Sequence, residues 1–211
     1  MFKADKTVSL LADSLRTHGY AIIDNAFYDD VPYVLSDRLN TLAEVDAMHR
    51  AGIGRRDDLT QREDIRGDEI HWLTDAHTSE ALWVRTMAQL RIELNRHLLL
   101  GLFSYESHFS HYPAGAFYKT HTDSFRGEAN RVLSTVFYLN PDWKEGDGGE
   151  LVIYSESGEE LERVAPVFNR LVVFLSEEFP HEVLPTATDR YSIAGWFRVN
   201  TSSAERVDPP A

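Results

Sequence analysis

Two histidines and one aspartate have the residue types and spacing needed to bind a metal ion. His121 and Asp123 are two residues apart in a segment that is expected to be extended, so their side chains point to the same side. His181 lies at the edge of another expected strand, in the sequence FPHEV. Two imidazoles and one carboxylate form the facial triad of non-haem iron(II) sites, which leaves coordination positions free. Zinc accepts the same donors, so residue type alone leaves the metal open.

Arg190 adds a cation that could bind the far end of a small dicarboxylate. It follows His181 by nine residues, across the turn-rich stretch LPTATD. If the strand that begins at Arg190 returns beside the strand that ends at His181, its guanidinium points into the same cavity and can bind a carboxylate with two hydrogen bonds. The alternative is a surface salt bridge with Asp189 or Glu182. 2-Oxoglutarate is a dicarboxylate that could bind the metal at one end and Arg190 at the other. Tyr138 could donate its hydroxyl to the carboxylate at the Arg190 end, or it could be an ordinary aromatic residue of a strand.

The C-terminal half has the pattern of strands that could position these residues. Alternating and β-branched segments follow one another after Gly101 and are separated by turn residues. The predicted strands are Ser104–Tyr112, Arg131–Asn140, Glu150–Tyr154, Arg170–Leu175 and Arg190–Val199. Short strands that follow a helical segment predict an α+β fold whose second half is a β-sandwich or jelly roll.

The N-terminal half has mainly helical periodicity. One predicted helix carries Val8, Leu11 and Leu15 and ends at Gly19. A strand is predicted at Tyr20–Asp24, a second helix from about Asp30 and a third from about Ser79 to Leu100. The charged stretch Gly52–Asp68 is expected to be a mobile hairpin or a solvated loop.

Composition and charge restrict the class of protein. The chain has 211 residues, of which 43% are hydrophobic and 26% are charged, and this predicts one globular domain over residues 1–211. Because there is no cysteine, disulfides, thiolate zinc sites and cysteine nucleophiles are excluded. The 34 acidic and 21 basic residues give a formal net charge of -13, which argues against nucleic acid and membrane surfaces as partners. We expect a cytoplasmic protein because the N-terminal segment has no apolar run long enough for a signal peptide.

Several segments together resemble a known enzyme family over roughly residues 20–198. They are HYPAGAFYKTHTD, RVLSTVFYLNPDW, GGELVIY, RLVVFLSEEFPHEV and DRYSIAGWF, with DIRGDEIHW upstream. Their order and spacing are similar to those of the iron(II)/2-oxoglutarate-dependent prolyl hydroxylases, in particular the hypoxia-sensing type and its bacterial relatives. The resemblance implies a double-stranded β-helix (jelly roll) core at about residues 102–200. It also implies N-terminal supporting helices at about residues 1–101 and a flexible finger loop at about residues 52–68.

The same resemblance implies a role for each matching residue. The catalytic metal ligands would be His121, Asp123 and His181. The 2-oxoglutarate pocket would be formed by Arg190 and Tyr138 at the distal carboxylate, Tyr112 near the chelating end, and the wall residues Leu151, Val183 and Trp196. The residues close to the substrate would be Tyr118, beside the iron, and Asp68 and Arg131, which match an acid–arginine pair at the mouth of the pocket.

The resemblance further implies the reaction and the partners. A prolyl residue of a protein would be hydroxylated at C4, with release of succinate and carbon dioxide. The cofactor and co-substrates would be Fe(II), 2-oxoglutarate and O2, with ascorbate as a further candidate. Elongation factor Tu is the leading candidate substrate if the microbial resemblance holds.

Two other functions remain open from the sequence. The chain could hydroxylate free proline or another small metabolite, although a small molecule would not need the long charged stretch Gly52–Asp68. It could instead be a non-catalytic metal-binding jelly-roll sensor module. The complete triad together with Arg190 argues against a sensor, because a module that only binds metal does not need a site for a distal carboxylate.

Overall fold

The computed structural model describes residues 5–28, 30–52, 64–124 and 130–200. Its helices are α1 (Asp5–His18), α2 (Asp30–Glu44) and α3 (Thr78–Leu98). Its strands are β1 (Tyr20–Ile23), β2 (His49–Arg50), β3 (Glu69–Trp72), β4 (Ser104–Tyr112), β5 (Tyr118–His121), β6 (Arg131–Tyr138), β7 (Leu151–Tyr154), β8 (Glu160–Val164), β9 (Leu171–Leu175), β10 (His181–Val183) and β11 (Arg190–Arg198). Among the described helices, none is long and apolar enough to cross a membrane.

The strands form two antiparallel sheets. Within the described ranges, the large sheet has seven strands in the order β1-β9-β6-β11-β4-β3-β2, and the small sheet has four in the order β5-β10-β7-β8. Residues of both sheets share one apolar cluster, which includes Tyr138 and Phe174 from the large sheet and Leu151 and Val183 from the small sheet. The two sheets therefore pack face to face, as in a jelly roll, and the α+β class predicted from the sequence is confirmed.

The large sheet has a second apolar face, which packs against the helices. Because side chains alternate along a strand, Phe137 points away from the small sheet while its neighbour Tyr138 points toward it. The rings of Phe27, Trp83 and Phe137 pack with centroids 4.9 to 5.4 Å apart. This helix-backed face fixes the position of the large sheet, and the opposite face of that sheet is left to line the space between the sheets.

The first helix ends where the sequence predicts. Gly19 follows the last residue of α1, has φ of +78° and donates its N–H to the carbonyl of Leu15 at 2.9 Å. Glycine is favoured there because this left-handed conformation is unfavourable for other residues. A Cβ at this position would also lie 2.7 Å from the ring of Phe179.

Three strands, β2, β3 and β8, were not predicted from the sequence. The first two belong to the N-terminal half but extend the edge of the large sheet, where β3 pairs with β4. Therefore this half supplies strands as well as helices. All three strands are short, and β8 is mostly exposed and rich in charge, so they lack the apolar alternation that marks a longer strand.

The predicted route by which Arg190 approaches the metal ligands is wrong. The strand β11 does not lie beside β10; it pairs with β4 and β6 in the large sheet, whereas β10 pairs with β5 and β7 in the small sheet. Arg190 and His181 instead face the same space from opposite sheets. The turn-rich stretch between them changes sheet and does not form a hairpin.

Most of the predicted finger loop, residues 53–63, lies outside the described residues. Its described end does not match the expectation of a solvated loop. Asp68 is only 2% exposed, and Arg66 forms a β-bridge with Tyr118.

Candidate active site

The structure brings His121, Asp123 and His181 together. The two histidines lie opposite each other in the antiparallel pairing of β5 with β10, and Asp123 follows β5 by two residues. One potential ligand atom from each residue lies within 4.8 Å of the others. The distance from Nε2 of His121 to Oδ1 of Asp123 is 3.7 Å, and that from Nε2 of His181 to Oδ2 of Asp123 is 3.6 Å. The three donors can therefore face a common ion.

Backbone carbonyls fix the tautomer of both histidines. Nδ1 of His121 lies 2.8 Å from the carbonyl oxygen of Lys119, and Nδ1 of His181 lies 3.0 Å from that of Phe179. A carbonyl oxygen only accepts a hydrogen bond, so Nδ1 carries the proton in each neutral ring. Both Nε2 lone pairs are left available for a metal.

The electrostatics of the cluster keep it ready for a cation at neutral pH. Burial, followed by repulsion from His181, lowers the pKa of His121 to about 4. Burial acts to raise the pKa of Asp123, but His181, His121 and a hydrogen bond from Ser134 outweigh it and lower that pKa to about 2. The carboxylate is therefore ionised and the His121 imidazole neutral, which are the forms that bind metal.

Ser134 orients the carboxylate of Asp123. Its hydroxyl donates to Oδ2 of Asp123 at 2.6 Å, and it also lies 2.9 Å from the hydroxyl of Ser176. Both serines are almost fully buried. This support outside the ligand set was not predicted, although a signal for it was present. Ser134 lies four residues before Tyr138 on the same strand, and alternation places both side chains on one face.

Arg190 lies on the inner face of the large sheet and is 2% exposed. Its Nε donates to the carbonyl of Gly149 at 2.7 Å, and its Nη1 donates to the hydroxyl of Ser192 at 3.1 Å. In the part of the chain that the structure describes, no carboxylate forms an ion pair with Arg190. Asp189 binds His111 instead, and Glu182 accepts hydrogen bonds from Thr120 and Tyr154. The alternative of a surface salt bridge is therefore not observed.

Tyr138 provides a second buried donor beside Arg190. Its ring centroid is 5.1 Å from Cζ of Arg190. Among the described residues its buried hydroxyl has no hydrogen-bond partner with good geometry. Burial raises the pKa of Tyr138 and outweighs the neighbouring Arg190, which acts to lower that pKa, so the hydroxyl keeps its proton. A buried cation without a counter-ion and a buried hydroxyl without an acceptor are both unfavourable until an anion binds them. We call Arg190 and Tyr138 the carboxylate clamp, because a carboxylate would satisfy both groups.

Gly149 makes room for Arg190. It has φ of +75°, and a Cβ there would lie 2.8 Å from Cδ of Arg190. Gly149, the second glycine of the sequence GGELVIY, therefore allows its own carbonyl to approach the guanidinium closely enough to accept the hydrogen bond from Nε.

The expected wall residues surround this space. Leu151 and Val183 are paired directly across β7 and β10, and both are buried in the cluster that also contains Tyr112. Burial raises the pKa of Tyr112, whose ring lies 4.9 Å from Cζ of Arg190. Trp196 is 9% exposed. Within the described ranges its Nε1 has no hydrogen-bond partner with good geometry, although Trp196 contributes to lowering the pKa of Asp123.

The expected acid–arginine pair is not formed between Asp68 and Arg131. Asp68 accepts two hydrogen bonds of 2.6 Å from Arg66, while Arg131 donates to Glu106 at 3.0 and 2.8 Å. Arg66 is only two residues away, on the same side of an extended segment, so its guanidinium reaches both carboxylate oxygens. Arg131 also covers the ring of Trp196, with Cζ 3.7 Å from the centroid.

Tyr118 lies beside the metal ligands, as the sequence implied. Its ring stacks on the ring of His121 with a centroid distance of 3.6 Å. Arg66, which pairs with Asp68 and covers the Tyr118 ring, was not singled out from the sequence as a site residue. Its two-residue spacing from the buried Asp68 was the available signal.

The donor set and the clamp fit a metal and a dicarboxylate. Two imidazoles and one carboxylate suit a divalent transition metal such as Fe(II) better than the oxygen-preferring Mg²⁺ or Ca²⁺. Arg190, which has no anionic partner among the described residues, and Tyr138 suit a carboxylate. Because they lie on the sheet that faces the triad, one ligand with a chelating end and an anionic end would satisfy both groups of residues.

Comparisons with known proteins agree with this geometry. The sequence profile of the 2OG-Fe(II) oxygenase superfamily matches residues 107–198. The human protein "Egl nine homolog 1" is 29% identical in an alignment of 199 positions, which covers 87% of this chain and 44% of the relative, so the chain spans less than half of that protein.

Two solved structures are similar over most of the chain. A prolyl-4-hydroxylase from Pseudomonas putida is 37% identical, with a TM-score of 0.83, over 91% of this chain and 99% of that one. A Trichoplax adhaerens prolyl hydroxylase, in complex with a hypoxia inducible factor oxygen degradation domain peptide fragment, is 25% identical, with a TM-score of 0.82, over 92% and 89% of the two chains.

Proposed function

Because the chain belongs to the 2OG-Fe(II) oxygenase superfamily, we propose that it is a prolyl hydroxylase that acts on a prolyl residue of a protein. One observation carries the proposal. The carboxylate clamp, whose buried guanidinium has no anionic partner among the described residues, faces the same inter-sheet space as the His-Asp-His cluster. A module that only binds metal would not need such a clamp.

The metal would be held by His121, Asp123 and His181. Nε2 of each histidine and the Asp123 carboxylate supply three ligands, which leaves other coordination positions for the co-substrates. With 2-oxoglutarate and O2, the Fe(II) of this superfamily supplies the oxidant for a C–H bond, and the products are succinate, carbon dioxide and the hydroxylated substrate.

The protein's own contribution is binding and orientation. Arg190 would bind the distal carboxylate of 2-oxoglutarate through its guanidinium, and Tyr138 would donate its hydroxyl to the same group. Tyr112 would contact the co-substrate near its chelating end. Leu151 and Val183 would keep water out of the pocket, which strengthens these polar contacts.

The substrate side would be the region of Trp196, Arg131 and Tyr118. Tyr118 stacks on the ligand His121 and therefore adjoins the metal cluster, and Arg131 covers the ring of Trp196. A protein substrate is supported by the peptide complex of the Trichoplax adhaerens relative, and C4 as the position of attack by the prolyl-4-hydroxylase of Pseudomonas putida. Asp68 would act on this side through Arg66, since it is not paired with Arg131.

Elongation factor Tu is the first protein substrate to test. Its candidacy comes from the resemblance to bacterial prolyl hydroxylases. With 34 acidic and 21 basic residues, this chain would attract a target loop flanked by lysine or arginine. A translation factor as substrate would place the enzyme in the cytoplasm, and ascorbate would serve to keep the iron reduced.

The test is to incubate the chain with Fe(II), 2-oxoglutarate and O2 and to offer elongation factor Tu, a panel of proline-containing peptides and free proline separately. We expect one oxygen atom to be added to a proline of a protein or peptide, with succinate released in equal amount, and 4-hydroxyproline after hydrolysis. Addition of ascorbate should raise the yield. The Asp123→Ala variant is the matched control for adventitious oxidation.

A different result would contradict each part of the proposal. Hydroxylation of free proline alone would contradict the claim that the substrate is a protein. A modified peptide together with an unmodified elongation factor Tu would contradict only the choice of elongation factor Tu as the substrate. No succinate with any substrate, despite bound iron, would overturn the oxygenase activity itself.

A further inference from the structure

We propose that Arg66 is a positioning residue for His121, acting through the ring of Tyr118, and that Asp68 holds Arg66 in place for this purpose. The inference rests on the proposed role of His121 as a metal ligand. It gives the Arg66–Asp68 pair a role in holding the metal ligand His121, in addition to the role on the substrate side that the resemblance implies for Asp68.

Three planar groups are in contact in this part of the molecule. Cζ of Arg66 lies 4.4 Å from the centroid of the Tyr118 ring. The Tyr118 ring is stacked on the His121 ring, with centroids 3.6 Å apart and an interplanar angle of 17°. Tyr118 therefore transmits the position of the guanidinium to the imidazole. A cation is attracted to the face of a tyrosine ring, and this attraction increases when water is excluded.

Asp68 determines where the guanidinium of Arg66 lies. Its two oxygens accept from Nε and Nη2 of Arg66, both at 2.6 Å. The Asp68 side chain is fully buried and that of Arg66 is 12% exposed. Such a bidentate pair fixes both the position and the plane of the guanidinium.

The backbone supports the same arrangement. Residues 65–67 pair with residues 117–119: the N–H of Gly67 donates to Phe117 at 3.0 Å and the N–H of Lys119 donates to Ile65 at 2.9 Å. Arg66 and Tyr118 face each other in this pairing. Since β5 is an edge strand of the small sheet, this segment covers the edge that carries His121.

The two histidine ligands differ in their need for such support. His181 lies on the inner strand β10, is 5% exposed and packs against the buried ring of Phe174. His121 ends the four-residue edge strand β5, and its side chain is 21% exposed. An imidazole at the end of a short edge strand has fewer packing neighbours than one on an inner strand. Besides the hydrogen bond from its Nδ1 to the carbonyl of Lys119, the stacked Tyr118 ring restricts its rotation.

The test measures metal binding without turnover, with Co(II) as the probe, because its visible absorption reports ligand geometry. Arg66→Met keeps a long unbranched side chain but removes the charged guanidinium that pairs with Asp68. Tyr118→Leu removes the aromatic ring. We expect each to weaken Co(II) binding about tenfold, the size of effect seen when groups that orient metal ligands are lost, and to alter the Co(II) spectrum. Tyr118→Phe keeps the ring and should restore both the affinity and the spectrum.

The double variant separates a coupled contact from two independent defects. If Arg66 acts through Tyr118, then Arg66→Met adds little once Tyr118→Leu is present, whereas independent effects would multiply to about a hundredfold. Multiplication would overturn the proposal. Arg163→Met removes an exposed arginine that pairs with Glu160 on β8 of the same sheet, and it should leave Co(II) binding unchanged.

Thermal unfolding of the metal-free proteins shows whether each variant is folded. If Arg66→Met does not fold, the inference is tested by comparing Tyr118→Leu with Tyr118→Phe. Equal Co(II) affinity in these two variants would overturn it. Wild-type affinity in a folded Arg66→Met would also overturn it. If the unmodified chain binds neither Co(II) nor Fe(II), the proposed function fails instead, so the two failures are distinguishable.

Discussion

The metal ligands and the carboxylate clamp are held by different sheets and by different means. His121 and His181 lie on strands of four and three residues in the small sheet, and the hydrogen bonds at Nδ1 of both are to carbonyls two residues earlier. Arg190 and Tyr138 lie on strands of nine and eight residues at the centre of the large sheet, backed by the helices. The metal end thus depends on local contacts, while the position of the clamp follows from the register of long strands.

The two ends also differ in what they lack. At the metal end, an ionised carboxylate and available imidazole nitrogens require a cation. At the clamp, a buried guanidinium and a buried hydroxyl require an anion. Each end is unfavourable by itself, so a metal-bound dicarboxylate stabilises both, and the pocket selects ligands that have a chelating group and a carboxylate at opposite ends.

The largest effect is expected at the metal end. Asp123→Ala should abolish measurable iron binding and turnover together, because only two neutral imidazoles remain and the sole negative ligand is lost. The fold should persist, since the helix-backed face of the large sheet is unaffected. Iron content after dialysis and succinate release are the measurements. Asp24→Ala, which removes an exposed aspartate paired with Arg170, is the control, and normal iron content in Asp123→Ala would refute the ligand assignment.

The next effect is expected at the clamp. Arg190→Ala should raise the 2-oxoglutarate concentration needed for half-maximal turnover by about a hundredfold, because loss of a buried charged partner costs about 2–5 kcal/mol. Iron binding should be little changed, since Arg190 lies on the other sheet. Arg190→Lys keeps the positive charge but loses the two-pronged hydrogen bonding of the guanidinium. The 2-oxoglutarate concentration that it needs should therefore lie between those of the unmodified protein and Arg190→Ala. An unchanged requirement in Arg190→Ala would exclude the clamp.

A smaller effect at the metal end is expected from Ser134. Ser134→Ala removes the 2.6 Å hydrogen bond to Asp123 and should weaken metal binding about tenfold. Ser134→Thr retains a hydroxyl and is the matched variant. Metal titration of the three proteins, followed by calorimetry, provides the comparison. Equal affinities would show that the local contacts of Asp123 are sufficient without Ser134.

The difference between the two ends also explains which parts could be predicted from the sequence. The long strands could be predicted from their apolar alternation, and Arg190 and Tyr138 with them. The triad could be predicted as a set of residue types, because His121 and Asp123 are two residues apart and His181 lies at the edge of another expected strand. The neighbours of Arg190 could not be predicted, because the change of sheet between β10 and β11 depends on long-range pairing that no local pattern encodes.

Contacts between buried charged residues could also not be predicted from the sequence pattern. Asp68 and Arg66 belong to a charged stretch that predicted a solvated loop, yet they form a buried pair against Tyr118. Charged residues are usually exposed, and only the pairing stabilises their burial. The strand β3, which follows them, was missed for the same reason: its pairing with β4 provides the stability that its sequence does not indicate.

The smallest effect is expected from Tyr138→Phe, which changes the carboxylate clamp and leaves the metal ligands unaltered. Tyr138→Phe removes only a hydroxyl that has no hydrogen bond of good geometry within the described residues, so the free variant should be as stable as the unmodified protein, or slightly more stable. The 2-oxoglutarate requirement should nevertheless rise about fivefold, since one hydrogen bond to the carboxylate, worth about 1 kcal/mol, is lost on binding. Thermal unfolding of the free protein and succinate release against 2-oxoglutarate concentration measure the two quantities. A loss of stability in the free variant would mean that the hydroxyl already has a partner and does not wait for a ligand. An unchanged requirement would leave the recognition of the distal carboxylate to Arg190 alone.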